Sequence, residues 1–177
     1  MGKIWMPIAA LLLAAALLLG AYNLTLDLRR ENQQKELEAK MTVLLPGSTS
    51  FTQETYTGED ENIAFVYKSE TGYVIGTVTA GYAGSIHMLI GVSNDGYVTG
   101  LQVRQMEETF GLGAQALTDW EFLAQFLRTE GDAAVGDDID AITGATVTSK
   151  AITRSVNSAV AFVTGADIDS GATSWGG

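Results

Sequence analysis

The stretch from Ile4 to Tyr22 is almost wholly apolar and carries no charged side chain, which constrains this chain more than any other feature. At about 1.5 Å per residue it just crosses a hydrocarbon core of about 30 Å, where only a helix can satisfy its own backbone polar groups. Pro7 falls in the first turn, where a missing N–H costs little. Trp5 and Tyr22 stand where the two membrane interfaces would lie. The run exceeds a signal-peptide core of roughly 7–15 residues and lacks a small-x-small end. Residues 1–23 therefore read as a retained transmembrane anchor in the lipid bilayer, preferred over a cleaved signal.

Residues 24–47 continue as a charged stalk without helix breakers until Pro46-Gly47. Lys3 precedes the span, whereas Arg29, Arg30, Lys35 and Lys40 follow it. Taken literally, the positive-inside rule would put the following domain in the cytoplasm.

From residue 48 the pattern is that of one domain reaching residue 165. Residues 48–61 are polar and loop-like. Four runs rich in β-branched and aromatic residues follow, at 63–67, 73–80, 86–92 and 97–103. Turn residues separate them, including Asn94-Asp95-Gly96, a strong hairpin signal. An antiparallel meander with one wet face is expected. Thr118-Asp-Trp-Glu121 reads as a capping box opening a helix whose apolar stripe is Trp120, Leu123, Phe126 and Leu127. A second helix starts near Thr148, with Ile152, Val156, Ala159, Val160 and Val163 inward and Lys150, Arg154 and Asn157 outward. The expected class is α+β, an antiparallel sheet covered by helices and preceded by one membrane helix. Residues 166–177 read as a flexible Gly/Ser/Asp-rich tail.

The chain has 177 residues and a net charge of −11. Such a charge repels phosphate backbones, so no nucleic-acid partner is expected. With no cysteine and one histidine, iron–sulfur clusters and structural zinc lose their main ligands. No metal site and no catalytic triad can be assembled, so redox chemistry here would need an organic cofactor. His87, in the third predicted strand, reads as a packed or surface histidine, and Asp132, Asp137 and Asp138 as a solvated loop.

The remaining chemistry sits in Asp140-Ala-Ile-Thr-Gly-Ala-Thr-Val-Thr-Ser149. A small-residue turn entering a helix aims unpaired N–H groups and the positive dipole end at one point, which favours a phosphate. The bland alternative is a plain cap by Thr146 or Thr148, with Gly144 serving a turn, and caps are far commoner than ligand sites. The P-loop ending Gly-Lys-Ser/Thr is absent.

Asp-x-x-Thr-Gly-Ala-Thr-x-Thr resembles the flavinylation motif of the FMN-binding domain family. Gly81-Tyr-Ala-Gly-Ser-Ile86, Gly91-Val-Ser-Asn-Asp-Gly96 and Glu108-Thr-Phe-Gly-Leu-Gly113 fall in that family's order and spacing. The resemblance implies covalent FMN, joined by a phosphoester to Thr146 by a flavin transferase that uses FAD. Asp140 would start the motif, Thr143, Gly144 and Ala145 would form its turn, and Thr148 would end it. By resemblance only, Thr109, Gly111 and Leu112 would wall the flavin ring. The short length and single anchor resemble the G subunits of Rnf complexes, which are related to the C subunits of sodium-translocating NADH:quinone oxidoreductases. That implies a redox subunit, not catalytic alone, in an ion-translocating ferredoxin:NAD oxidoreductase. Its domain would lie outside the cell membrane, against the charge count, with the other Rnf subunits as partners.

Two departures stand out. Phe110 replaces the family's usual proline, and Arg104-Gln-Met-Glu-Glu108 lacks a histidine often found there. Asp167-Ile-Asp-Ser-Gly-Ala-Thr173 repeats the short pattern, but no helix follows it to supply N–H groups, so Thr146 is preferred. The competing reading is an anchored extracytoplasmic sensor or adhesion module whose Gly-Ala-Thr turn is only a cap. A soluble flavin reductase is disfavoured by the anchor and by the lack of a nicotinamide fingerprint.

Overall fold

The computed structural model describes residues 5–106 and 119–166. Its first element, α1, is a helix over Trp5–Leu44. It is the one helix among the described residues long and apolar enough to cross a membrane. Leu12, Leu13, Leu17, Leu18 and Leu19 are all exposed, which fits lipid as their solvent. Toward its C-terminal half the surface turns ionic. Lys35 bonds Glu31 at 2.7 Å and Lys40 bonds Glu36 at 2.6 Å, both one turn apart; such exposed pairs add only a few tenths of a kcal/mol each. The chain divides between Lys40 and Met41 into two compact units.

The second unit is built on a five-stranded antiparallel meander in the order β1-β2-β3-β4-β5. The strands are β1 (Thr52–Glu54), β2 (Ile63–Lys68), β3 (Gly72–Ala80), β4 (Ser85–Ser93) and β5 (Val98–Met106). Four of them follow the expected runs closely. The fifth, β1, lies in the segment expected to be a loop. It pairs Thr52 with Lys68 and Glu54 with Val66. Three polar residues carry no apolar alternation, so nothing local announced it.

Among the described residues of this unit two helices follow the sheet: α2 (Trp120–Ala124) and α3 (Thr146–Thr164). The strand alternation sends Ile75, Ile86, Met88, Ile90 and Val92 to one face, where they join Ile152, Val156, Ala159 and Val160 of α3 in the main core. Ala151, Ser155 and Ser158 are also buried, and such small residues let the helix axis lie close to the sheet. The Thr79 hydroxyl lies 2.9 Å from that of Ser155 and 3.2 Å from the Ala151 carbonyl, satisfying polar groups that would otherwise be costly to bury.

Two helical expectations need correction. Asp119, rather than a residue before it, caps α2 by accepting from the N–H groups of Glu121 and Phe122. With the helix set there, Trp120 and Leu127 are exposed, and the inward pair is Phe122 and Phe126, edge-to-face at 5.4 Å. Asn157 is not outward. It is buried, and its Nδ2 donates to the Ala133 carbonyl at 2.9 Å.

The opposite face of the sheet is not simply wet either. Val74 and Leu89, which alternate with the core residues, are fully buried, as are Met41 and Leu45. The last turn of α1 lies on this face: the Thr99 hydroxyl donates to the Leu44 carbonyl at 2.6 Å. A Cβ on Gly91 would stand 2.3 Å from that same oxygen, so only glycine lets the helix seat here. Pro46 and Gly47, the latter at φ 87°, then turn the chain away.

Below this turn Glu70 acts as a knot. Its carboxylate accepts from the Ser69 hydroxyl at 2.6 Å and from Thr49, while Asn94 donates to its carbonyl at 2.9 Å. The hydrogen bonds from Ser69 and Thr49 hold its carboxyl at about 2, well below the usual range. Because the folded pKa is depressed, this contribution is present above about 4.5 and is lost as pH falls toward 2. The midpoint of thermal unfolding, followed by circular dichroism, should therefore fall between pH 4.5 and 2 less steeply in Glu70→Gln than in the unaltered chain. Gly91→Val should lower stability by about 1–3 kcal/mol, as overpacking does, measured by urea titration.

Candidate functional site

The segment leading into α3 is pinned from several sides before it reaches Thr146. Asn157 holds the loop at Ala133, and Ile139 is buried, closing a turn by donating from its N–H to the Ala134 carbonyl at 3.1 Å. At Asp140 the backbone is gripped by one side chain. Its N–H donates to Gln125 Oε1 at 2.8 Å, and Gln125 Nε2 donates to its carbonyl at 3.4 Å. The carboxylate of Asp140 is left exposed.

The turn itself is closed from inside. Ile142 packs on the core and its carbonyl accepts from Ala145 N–H at 2.9 Å, with Gly144 at φ 80°. That left-handed conformation suits glycine, because a Cβ would crowd the following carbonyl. The buried Ser149 hydroxyl accepts from Ile142 N–H at 3.3 Å and donates to the Ala145 carbonyl at 3.0 Å. Ser149 thus staples the turn to the first turn of α3.

The consequence is a helix start without a cap. Helix α3 begins at Thr146, the N-cap position is Ala145, and that residue makes no side-chain cap bond. A threonine at the first helical position cannot cap in the usual manner, since the cap residue precedes the helix. Thr148 is buried and does not cap either. The plain-cap alternative therefore does not describe this helix. Its first turn also holds no acidic residue, so the helix itself does not offset its positive dipole end.

Around that end Thr143, Gly144, Thr146 and Val147 are exposed, whereas Ala145 and Thr148 are buried. An exposed threonine thus stands at the start of the helix, beside two small residues, Gly144 and Ala145. Lys150 is exposed one turn further along. This arrangement can hold an anion through backbone donors and the dipole, and can present one nucleophilic oxygen to it.

The structure therefore brings together Asp140, Thr143, Gly144, Ala145, Thr146 and Thr148 in one pinned turn, with Thr148 contributing backbone rather than an exposed side chain. Thr109, Gly111, Leu112 and the second threonine, Thr173, lie outside the described residues. Sequence reasoning missed Gln125 and the stapling role of Ser149. Ser149 was visible inside the motif, but Gln125 reaches it from just past the end of α2 and leaves no local pattern. Among the described residues, no group of three or more His, Asp or Glu is placed to hold a metal.

Comparison with known proteins shows what the chain is similar to. A family model described as FMN-binding domain matches residues 81–161, which includes the whole turn and most of α3. The G subunit of the ion-translocating oxidoreductase complex of Methanosarcina acetivorans is 36% identical over 167 residues, covering 85% of this chain and 87% of that one. The G subunit of the proton-translocating ferredoxin:NAD(+) oxidoreductase complex of Clostridium ljungdahlii is 32% identical, covering 86% and 85%. The G subunit of the Na(+)-translocating ferredoxin:NAD(+) oxidoreductase complex of Acetobacterium woodii is 37% identical, but the match spans only 53% of its length. The phosphate of FMN fits the uncapped helix start in charge and in the small residues around it.

Removing the staple should loosen the turn. Ser149→Ala leaves the Ile142 N–H unpaired beside the core, and should cost about 1–3 kcal/mol in urea unfolding.

Proposed function

This chain belongs to the FMN-binding domain family, with the G subunits of ion-translocating oxidoreductase complexes as its relatives, and from that premise we propose that Thr146 carries its FMN covalently. The observation that supports this is the exposed Thr146 hydroxyl at the start of a helix whose cap position is an alanine. Thr146 Oγ1 would form an ester bond to the FMN phosphorus. The pyrophosphate bond of an FAD donor would break, AMP would leave, and the hydroxyl proton would pass to a base on a flavin transferase.

After attachment, the N–H groups of Thr146, Val147 and Thr148 would face the phosphodiester charge, and Gly144 and Ala145 would leave it space. Gln125 and Ser149 would hold the turn so that this geometry exists before the transferase arrives. Bound FMN supplies one- and two-electron redox chemistry, which no side chain of this chain offers. Thr109, Gly111 and Leu112 would wall its ring.

In this reading the chain is one relay in an Rnf-type complex that moves electrons between ferredoxin and NAD and couples them to sodium or proton transport. The anchor α1 would hold the domain at the cell membrane on the extracytoplasmic side, beside the other subunits. The acidic sequence carries no nicotinamide-binding fingerprint, which is consistent with a relay rather than a docking point for NAD.

Co-expression with a flavin transferase should give a fluorescent band that survives denaturation, together with one FMN increment in the intact mass. Thr146→Ala should remove both, Thr146→Ser should retain a band, and Thr173→Ala should leave the signal unchanged. A colourless unaltered protein, or a band that follows Thr173 instead, would sink the assignment.

A further inference from the structure

A cavity of about 540 Å³ opens near the other end of α3, lined by residues 54–60 and by Ile63, Val66, Ser158, Ala161, Phe162 and Ala166. Thr146 and Phe162 stand roughly 24 Å apart along the helix at 1.5 Å per residue, so this is not the motif site. Its volume lies within the range of small-ligand pockets, roughly 300–1,000 Å³.

The wall of this cavity is built rather than loose. The Tyr56 ring sits edge-on to Phe162 at 5.8 Å, and its hydroxyl accepts from Asp60 N–H at 3.0 Å. A Cβ on Gly58 would fall 2.4 Å from that hydroxyl, so the loop wraps tightly over the ring. Asp60 Oδ1 accepts from Asn62 N–H at 2.9 Å and from Asn62 Nδ2 at 2.7 Å, and that Nδ2 also reaches Ser158 Oγ at 3.3 Å.

The second oxygen of Asp60 is buried and has no hydrogen-bond partner. An unpaired carboxylate oxygen away from water is costly unless a donor reaches it. Glu54 and Glu59 also line the cavity, and no lysine, arginine or histidine does. The C-terminal turn of α3, closing at Gly165 in the left-handed conformation, adds the negative end of the helix dipole. Glu54 is already paired with Lys68 at 3.6 Å, so the charge that favours a cation comes from Asp60, Glu59 and the helix end, while Ile63, Val66 and Phe162 favour an apolar stem. Glu54 also ends β1, the edge strand of the sheet, whose outer ladder groups can pair with an extended segment.

We propose that this cavity receives an arginine side chain from an extended segment of a neighbouring protein chain lying beside β1. The guanidinium brings a permanent charge and several fixed donors to the carboxylates of Asp60 and Glu59, the Asp60 side chain turning to meet it, and its stem lies on the apolar wall. A bare metal ion fits less well, since it would leave that wall unused. The proposal rests on the functional reading only in taking the neighbour to be another member of the same membrane complex.

The full-length chain in detergent, with labelled isoleucine and valine methyl groups, can be titrated with butylguanidinium, using neutral butylurea as the control. Saturable shifts at Ile63 and Val66 with butylguanidinium alone are expected, weakened at least tenfold in Asp60→Asn, which keeps the acceptor for Asn62. In the complex isolated from membranes, Asp60→Asn and Glu59→Gln should reduce co-purification of the other subunits at least threefold while in-gel flavin fluorescence is unchanged. Equal shifts with butylurea, or no weakening in Asp60→Asn, would overturn the cation site. Probe binding with undiminished assembly in both variants would overturn the partner and leave a small organic cation as occupant. Probe shifts in an unaltered chain that lacks a fluorescent band would uphold this site while removing the flavin reading.

Discussion

The seating of α3 on the sheet is the interaction on which the rest depends. Ile152, Val156, Ala159 and Val160 bury their side chains against β3 and β4, at roughly 1.5–3 kcal/mol for each large aliphatic group. That burial fixes the helix at both ends. It can therefore begin without a capping side chain, because the missing cap is worth only about 1 kcal/mol against the packing. Thr146 and its neighbouring N–H groups are left facing outward by a helix that has no need of local help to form.

The same seating separates two kinds of electrostatics along one element. The N-terminal end of α3 has no acidic residue in its first turn, and it meets a turn of small residues. The C-terminal end meets Asp60 and the carboxylates of residues 54–60. A helix already carries opposite partial charges at its ends, and the surrounding residues reinforce each sign rather than cancel it. One end suits a phosphate and the other a cation, within a single packed unit.

On its opposite face the sheet meets the last turn of α1 through Leu44, which approaches Gly91 and accepts from Thr99. The helix that begins as the apolar anchor thus ends as part of the second unit's own packing, because Met41, Leu44 and Leu45 are buried there. This explains why that face is not wet. The alternation of β3 and β4 showed which residues point away from the main core, but no periodicity states what will cover them.

The amino-acid sequence by itself determined the membrane-length helix, four of the strands, the two later helices and the motif. These features follow from local rules: an uncharged apolar run, alternation of period two, helical spacing, and turn residues. Only the tertiary structure decided that β1 exists, that Asn157 is buried, that Gln125 grips Asp140, and that the cap position of α3 is Ala145 rather than a threonine. Each of these depends on partners distant in the chain or on a one-residue shift in a helix start. Local pattern cannot resolve either one, because hydrogen bonds and burial are settled by what lies adjacent in space.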